Sequence, residues 1–276
     1  MTRQPCRRFV GWSVALLSCM ACAATALIWL AGTVASGTES AGGAQSGEVV
    51  EYKLLLPHQF KERFDKMPLA YVPVGSLEWH GEHLCLGNDG VKVETLCREA
   101  ARQGGGIVLP CVFLGIPPMT GWGSKYDLGK SGIFFVEPEL LQRILTAELE
   151  NLDRLGFKGA IVITGHYPQE QVDLVKKVAA DFKAAHGMKA AGITDRDLAR
   201  SVGHTGDHAG KWETSILMAL HPELVDLSRL PKEPGQRMEG VFGGDPRTQA
   251  SAELGRKVVA AMVLELCELG KKLVTR

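Results

Sequence analysis

Short apolar runs alternate with longer amphipathic stretches through most of this chain. Leu69-Ala-Tyr-Val-Pro-Val74 and Gly159-Ala-Ile-Val-Ile-Thr164 are uninterrupted apolar runs of strand length. That pattern predicts strands buried on both faces. Residues 104 to 110 turn through three glycines into another apolar run, residues 188 to 193 supply a further one, and Ile133-Phe-Phe-Val136 predicts a short strand. Between them the spacing changes to that of helices. Val93, Leu96, Cys97, Ala100 and Ala101 share one face, as do Leu141, Ile144, Leu145, Leu149 and Leu152, with Glu148 at the edge of that stripe. Pro138 suits the first position of that second helix, which runs to about Leu155. Val175, Val178, Ala179 and Phe182 mark a third, and Val259, Met262, Val263 and Leu266 a last one. Shorter helices are predicted around residues 59 to 65 and from Lys211 to just before Pro222. Strands alternating with helices predict an α/β fold, a mostly parallel sheet covered by helices on both faces.

The N-terminal region departs from this pattern. Arg3, Arg7 and Arg8 precede a charge-free stretch from Phe9 to Thr38, and the first acidic residue is Glu39. A basic start followed by an apolar run is the order of an export signal. Thr33-Val34-Ala35 offers a small-residue cleavage site. The run is also long enough to stay as a membrane anchor, since a spanning helix needs about 20 apolar residues. Arg7-Arg8-Phe9-Val10 resembles a twin-arginine signal, and Leu17-Ser18-Cys19 a lipoprotein site that ranks lower because the apolar run continues past it. The expected organisation is therefore an export signal or anchor over residues 1 to 35, a Ser/Gly/Ala-rich flexible linker over 36 to 50, and one domain over 51 to 276. The domain is expected to work in the periplasm or on the outer side of a membrane.

The chain carries 31 basic and 31 acidic residues. The three early arginines belong to the export segment, so the rest of the chain is about three charges negative and has no basic stripe. A nucleic-acid partner is not expected. No phosphate-binding glycine motif and no Cys-x-x-Cys pair occurs, which argues against a nucleotide cofactor and against thiolate zinc. Cys97 and Cys267 fall at apolar helical positions and are expected in the core.

Chemistry concentrates just after the first predicted strand. Residues 74 to 90 pack Glu78, His80, Glu82, His83 and Asp89 into one strand-to-helix connection. Ligands in open α/β sheets bind at such connections. If the chain stays extended there, Glu78 and His80 face a common space and Trp79 turns away. Asp89, where the next helix starts, can return a carboxylate to that space. Oxygen and imidazole donors suit zinc, manganese or iron. A polar loop whose histidines only bond the backbone is the other reading. His166 follows another buried strand directly, and Asp207, His208 and Glu213 flank the start of a third helix. Each histidine alone is explained by core packing, whereas all of them at junctions of one sheet point to a shared polar site. Trp122, Tyr126 and Tyr167 are candidates to line a substrate cavity, or simply to pack under loops.

Four motifs in order, Pro73-Val-Gly-Ser-Leu-Glu-Trp-His-Gly-Glu-His-Leu84 with Asp89, Gly165-His166, His208-Ala-Gly-Lys-Trp-Glu-Thr-Ser215 and Gly240-Val-Phe-Gly-Gly-Asp-Pro-Arg247, resemble the creatininase family. The resemblance covers essentially the whole domain. It implies a three-layer α/β/α sandwich, a two-metal amidohydrolase and assembly as a homo-oligomer, often a hexamer. It implies metal ligation by the positions of Glu78, His80, Asp89 and His166, with Asp89 bridging two divalent cations, and proton transfer by His208. The family's type enzyme has a metal-binding glutamate two residues after the His166 position, where this chain has Pro168. Glu213 is the best available replacement. Asp207 either orients His208 or caps the following helix, and His83 is expected to support a ligand through a hydrogen bond. The expected reaction is attack of a metal-activated water on a small, non-peptide amide. A metallopeptidase or deformylase on the same scaffold, and an exported binding protein with a degenerate metal site, are the alternatives.

Overall fold

The computed structural model describes residues 48–117, 134–233 and 235–275. The predicted export segment, most of the linker, and Trp122 and Tyr126 lie outside them. Four strands, β1 (Leu69–Val74), β2 (Ile107–Val108), β3 (Gly159–Thr164) and β4 (Lys189–Thr194), form a parallel sheet in the order β2-β1-β3-β4. The helices are α1 (Pro57–Lys66), α2 (Asn88–Gly104), α3 (Pro138–Leu155), α4 (Gln169–Ala185), α5 (Asp195–Leu198), α6 (Lys211–Leu220), α7 (Pro246–Gln249) and α8 (Ala252–Val274).

Every residue of β1 and β3 is buried, as expected of strands covered on both faces. Alternate residues serve the two layers. Leu69, Tyr71, Ile161 and Ile163 join Leu96 and Cys97 of α2, Ile216 of α6, and Met262, Leu266 and Cys267 of α8. Ala70, Val72, Val74, Ala160 and Val162 join Leu141, Leu145 and Leu149 of α3 with Val175, Val178 and Phe182 of α4. This is the three-layer α/β/α arrangement. Each fully buried leucine, isoleucine or valine contributes about 1.5–3 kcal/mol through removal from water. Cys85, Cys97, Cys111 and Cys267 are all free thiols. No helix among the described residues is long and apolar enough to cross a membrane.

Two predicted strands came out shorter. The run after Gly104 pairs as a strand over two residues only. Pro110 has no N–H for the ladder, and pairing resumes beyond it as a lone bridge between Val112 and Val74. The run ending at Val136 also reduces to a bridge, Phe135 to Gly115, and Phe134 is 69% exposed. Ile133 lies outside the described residues. The predicted helices around 59 to 65, from Pro138 to Leu155 and from Lys211 are present as α1, α3 and α6.

Register decides where chemistry can gather. Val74 pairs with Thr164, and Thr164 with Thr194, so β1, β3 and β4 end on one line. The residues that follow them open onto a single edge of the sheet. Two glycines let α2 begin there. A Cβ on Gly75 would lie 2.3 Å from the Gly90 nitrogen, and one on Gly165 2.4 Å from the Asp89 carbonyl oxygen. Any side chain at either position would push the first turn of α2 off the strand ends.

Candidate metal centre

Beyond β1 the chain stays irregular through His80 and buries both Glu78 and His80. Trp79 points elsewhere, against Gly240. Asp89 sits in the first turn of α2, where the helix dipole favours a carboxylate, and accepts a hydrogen bond from the Ser76 hydroxyl at 2.7 Å on Oδ2. His166 follows β3 by two residues, and its Nδ1 lies 2.9 Å from both Glu78 Oε1 and Asp89 Oδ2. His80 Nε2 lies 3.0 Å from Asp89 Oδ1 and 3.4 Å from Glu213 Oε2. Glu213 comes from the first turn of α6.

Two donor groups result, Glu78 with Asp89 and His166, and His80 with Asp89 and Glu213; in each, ligand atoms from the three residues lie within 4.8 Å of one another. Asp89 belongs to both, offering one oxygen to each. A third grouping joins Glu78, His80 and His208. The donors are imidazole and carboxylate without thiolate, a set that suits zinc, manganese or iron. His80 Nε2 is buried and faces the Asp89 and Glu213 carboxylates without a well-aligned hydrogen bond to either, an arrangement that suits an atom sharing a cation with them. The residues present therefore fit divalent cations. Pro168, in place of a carboxylate, sits at the start of α4 and lines the same cavity.

The electrostatics are those of a site short of positive charge. Burial alone would lower the pKa of His80, but Asp89, Glu213 and Glu78 outweigh it and raise it to about 9. Against the same desolvation, Glu78 and Asp89 raise His166 to about 10. Asp89 is held well below the usual carboxylate range, because His80, His166 and Lys92 overcome the cost of its burial. Without bound metal, two imidazolium groups thus stand in for cations. Metal takes the neutral imidazole, so loading must displace protons.

His208 lies on the loop before α6 and stacks on His80, with ring centroids 4.2 Å apart. Its Nε2 is 3.0 Å from the Trp79 carbonyl oxygen, which accepts the Nε2 proton and leaves Nδ1 facing the site, 3.8 Å from Glu78 Oε1. Burial and the neighbouring His80 charge lower its pKa. Ala209, next in the chain, adopts φ 53°, an uncommon conformation for alanine, and its N–H donates to Glu213 Oε2 at 2.8 Å. Asp207 caps α6: its Oδ2 accepts from the Trp212 N–H at 2.8 Å and its Oδ1 from the Glu213 N–H at 3.1 Å. Of the two readings of Asp207, the cap is the one the geometry carries. His83 pairs with the Thr214 hydroxyl at 2.9 Å, so it supports α6 and stays out of both donor groups.

Tyr167 does not simply pack. Its hydroxyl donates to Asp195 Oδ1 at 2.7 Å and accepts from Lys92 Nζ at 3.2 Å. Lys92 is fully buried and paired with Glu213. Burial disfavours its charge, yet Asp195 and Glu213 raise its pKa well above the ordinary lysine value. Sequence reasoning missed Lys92 and Asp195. The signal for Lys92 was its position, one turn after Asp89 on the apolar face shared by Val93 and Leu96. Asp195 directly follows β4, the place that already made His166 a candidate. A cavity of about 190 Å³ is lined by Glu78, Asp89, His166, Tyr167, Asp207, His208 and Glu213, room for a small substrate portion. Trp122 lies outside the described residues.

A family model described as creatinine amidohydrolase matches residues 55–269. Creatinine amidohydrolase of Pseudomonas putida is 26% identical over 225 residues, 72% of this chain and 85% of that protein. Mycofactocin precursor peptide peptidase of Mycobacterium ulcerans (strain Agy99) is 28% identical over 216 residues, 71% of this chain and 82% of that protein. A crystal structure of creatininase superposes with a TM-score of 0.66 at 23% identity, covering 83% of this chain and all of that one. Related creatininase structures include a manganese form and a Zn–Zn form.

Proposed function

Because this chain belongs to the creatininase family, we propose that it hydrolyses an amide C–N bond with two divalent cations held at the sheet edge. One observation carries the reading: the two donor groups that share Asp89. Glu78 and His166 would hold one cation, His80 and Glu213 the other, with Asp89 bridging. When bound, such ions lower the pKa of water and polarise a carbonyl.

The chain's own residues do the rest. Ser76 fixes Asp89 by its hydrogen bond to Oδ2, and the Ala209 N–H fixes Glu213 through Oε2. The bond to the Trp79 carbonyl orients His208, so that Nδ1 faces the cavity and can pass a proton to the leaving nitrogen. Asp207 acts through position, by anchoring the helix that carries Glu213 and the loop that carries His208. The strand ends and α2 keep the ligands out of bulk water, which strengthens every charge interaction among them.

A small, non-peptide amide is the preferred substrate, in keeping with a compact cavity and with the creatinine-hydrolysing relative. A short peptide is the second reading, favoured by the relative named as a peptide peptidase. Export through the apolar segment after Arg8 and assembly as a homo-oligomer are part of the same proposal; cell fractionation and light scattering test them. The deciding experiment measures metal content in equilibrium with excess Mn²⁺ or Zn²⁺, then screens cyclic ureides, formamides and short peptides. About two ions per chain, with hydrolysis that chelation stops and metal restores, is the expected result. A chain that takes up no ion and hydrolyses none of the panel would instead be a binding module.

A further inference from the structure

Exposed apolar side chains are unevenly spread over this domain. Of the ten large ones among the described residues, four fall between positions 49 and 56: Val49, Tyr52, Leu54 and Leu56, the two leucines each 57% exposed. This segment is not a frayed end. Val50 is buried, its carbonyl accepts from the Val108 N–H at 2.9 Å, and Glu51 bridges to Val108 at the sheet edge. Leu55 packs against the layer that holds α3 and α4. The fold therefore turns Val50 and Leu55 inward and holds their apolar neighbours out in water.

The first helix continues the same surface. Leu56 stands just before α1, and Phe60 and Phe64 follow it at four-residue spacing, on one face. Tyr52 packs edge-on against Phe60 with ring centroids 5.1 Å apart, and Phe60 stacks on Phe64 at 5.7 Å. Nearby charges are already paired, Glu48 with Arg63 and Lys53 with Glu51 and Glu94. Covering the apolar side chains would strand none of these ions. A cluster of exposed apolar residues marks a contact surface for a protein or a membrane.

The chain that precedes the patch indicates which. The charge-free stretch from Phe9 to Thr38 is long enough to span a bilayer. Only the twelve residues from 36 to 47 separate the predicted anchor from Glu48. Whatever their conformation, they reach at most about 40 Å. A bilayer that holds the anchor is then always within reach of the patch. Contact becomes intramolecular, so a few side chains of modest affinity suffice.

We propose that the surface formed by Val49, Tyr52, Leu54 and Leu56 rests on the phospholipid bilayer that holds the chain's own N-terminal segment, and so seats the domain in one orientation. The leucines enter the boundary between headgroups and acyl chains, and Tyr52 sits at headgroup level, where a ring with a polar tip is favoured. The inference rests on the reading of residues 1–35 as a retained anchor.

The full chain, carrying the photo-cross-linker p-benzoylphenylalanine in place of Leu54, Leu56 or, as a control on α8, the equally exposed Leu264, tests it in vesicles of phosphatidylethanolamine and phosphatidylglycerol. Mass spectrometry after illumination should find lipid adducts at positions 54 and 56 at least about 10-fold above those at 264. With the cross-linker moved to position 52, Leu54→Glu together with Leu56→Glu should cut its lipid adducts by a similar factor, because carboxylates resist entry into the acyl region. Equal adducts at all three positions, adducts that the glutamates leave unchanged, or cross-links from 54 and 56 to a second copy or to residues 1–47 would each overturn the docking. A chain that does not float with the vesicles would overturn the anchor reading, and the docking with it.

Discussion

Two buried regions of this molecule treat a carboxylate in opposite ways. On α3, Glu148 sits at the edge of the apolar stripe with no opposite charge near it among the described residues, and burial pushes its pKa up to about 7. Its Oε2 has no hydrogen-bond partner among the described residues. At the sheet edge Glu213 is more deeply buried, yet it is held below the ordinary glutamate value, since Lys92 and His80 outweigh desolvation. The same chemical group is driven toward neutrality in one place and kept ionised in the other. Burial by itself therefore does not make an anionic site. Opposite charge supplied by separate chain segments does, and that is the difference between a misfit in a core and a ligand set.

The contrast breaks most decisively at its shared member. Asp89→Asn should lose both ions together and lower amide hydrolysis by roughly 10³-fold or more, as elemental analysis and steady-state rates would show. Full metal content in that variant would remove Asp89 from its bridging place. Chelation should come next in size. Metal that binds only the folded chain adds about 2.7 kcal/mol at a hundred times its dissociation constant, so stripping it should lower the unfolding free energy read from urea melts by about that amount. The metal-free protein should also acquire a pH dependence. His80 and His166 are raised to about 9 and about 10 from an ordinary value near 6.5. Their contribution is complete below about pH 6.5 and is lost as pH rises through those higher values. The loaded protein, whose ligand imidazoles carry no such proton, should show no matching loss.

Glu148 sharpens the other side. The folded chain holds its proton up to about pH 7, whereas the unfolded chain releases it near 4.3. Stability should therefore fall as pH rises between those values, and Glu148→Gln should flatten the fall by on the order of 1–3 kcal/mol. Urea melts at pH 5 and pH 8 measure it, and identical slopes in both proteins would contradict the pKa. Asp207→Ala should have the smallest effect, about 1 kcal/mol from loss of the α6 cap, with metal content retained. A much larger loss of activity than of stability would return Asp207 to a direct part in the chemistry.

The apolar periodicity gave β1, β3, α3 and the inner faces of α2 and α4 from residues alone, because a segment buried on its own sheet or helix face carries that fact in its spacing. Ile133-Phe-Phe-Val136 misled for the same reason in reverse. Two adjacent aromatics read as a strand, but among the run's described residues Phe134 is exposed and only Phe135 forms a bridge. Within the site, Glu78, His80, Asp89 and His166 stood out because they lie in the connections that lead from strands into helices. Lys92 and Asp195 did not, since a lysine on a helix and an aspartate in a run of mixed charge look like ordinary surface residues until something buries them.

The order of strands and helices, the layers they form and the candidate ligands were set by local pattern, which acts over a few residues and is written in each segment separately. Which of Asp89's oxygens serves which histidine, that Glu213 meets His80, and that Lys92 pairs with Glu213 are decided only when β1, β3 and β4 end in register and two glycines admit α2 beside them. The physical reason is reach: charge interactions that govern ionisation and metal affinity act over a few ångströms in space, and nothing in the spacing of residues 121 positions apart, as Lys92 and Glu213 are, records that they will touch.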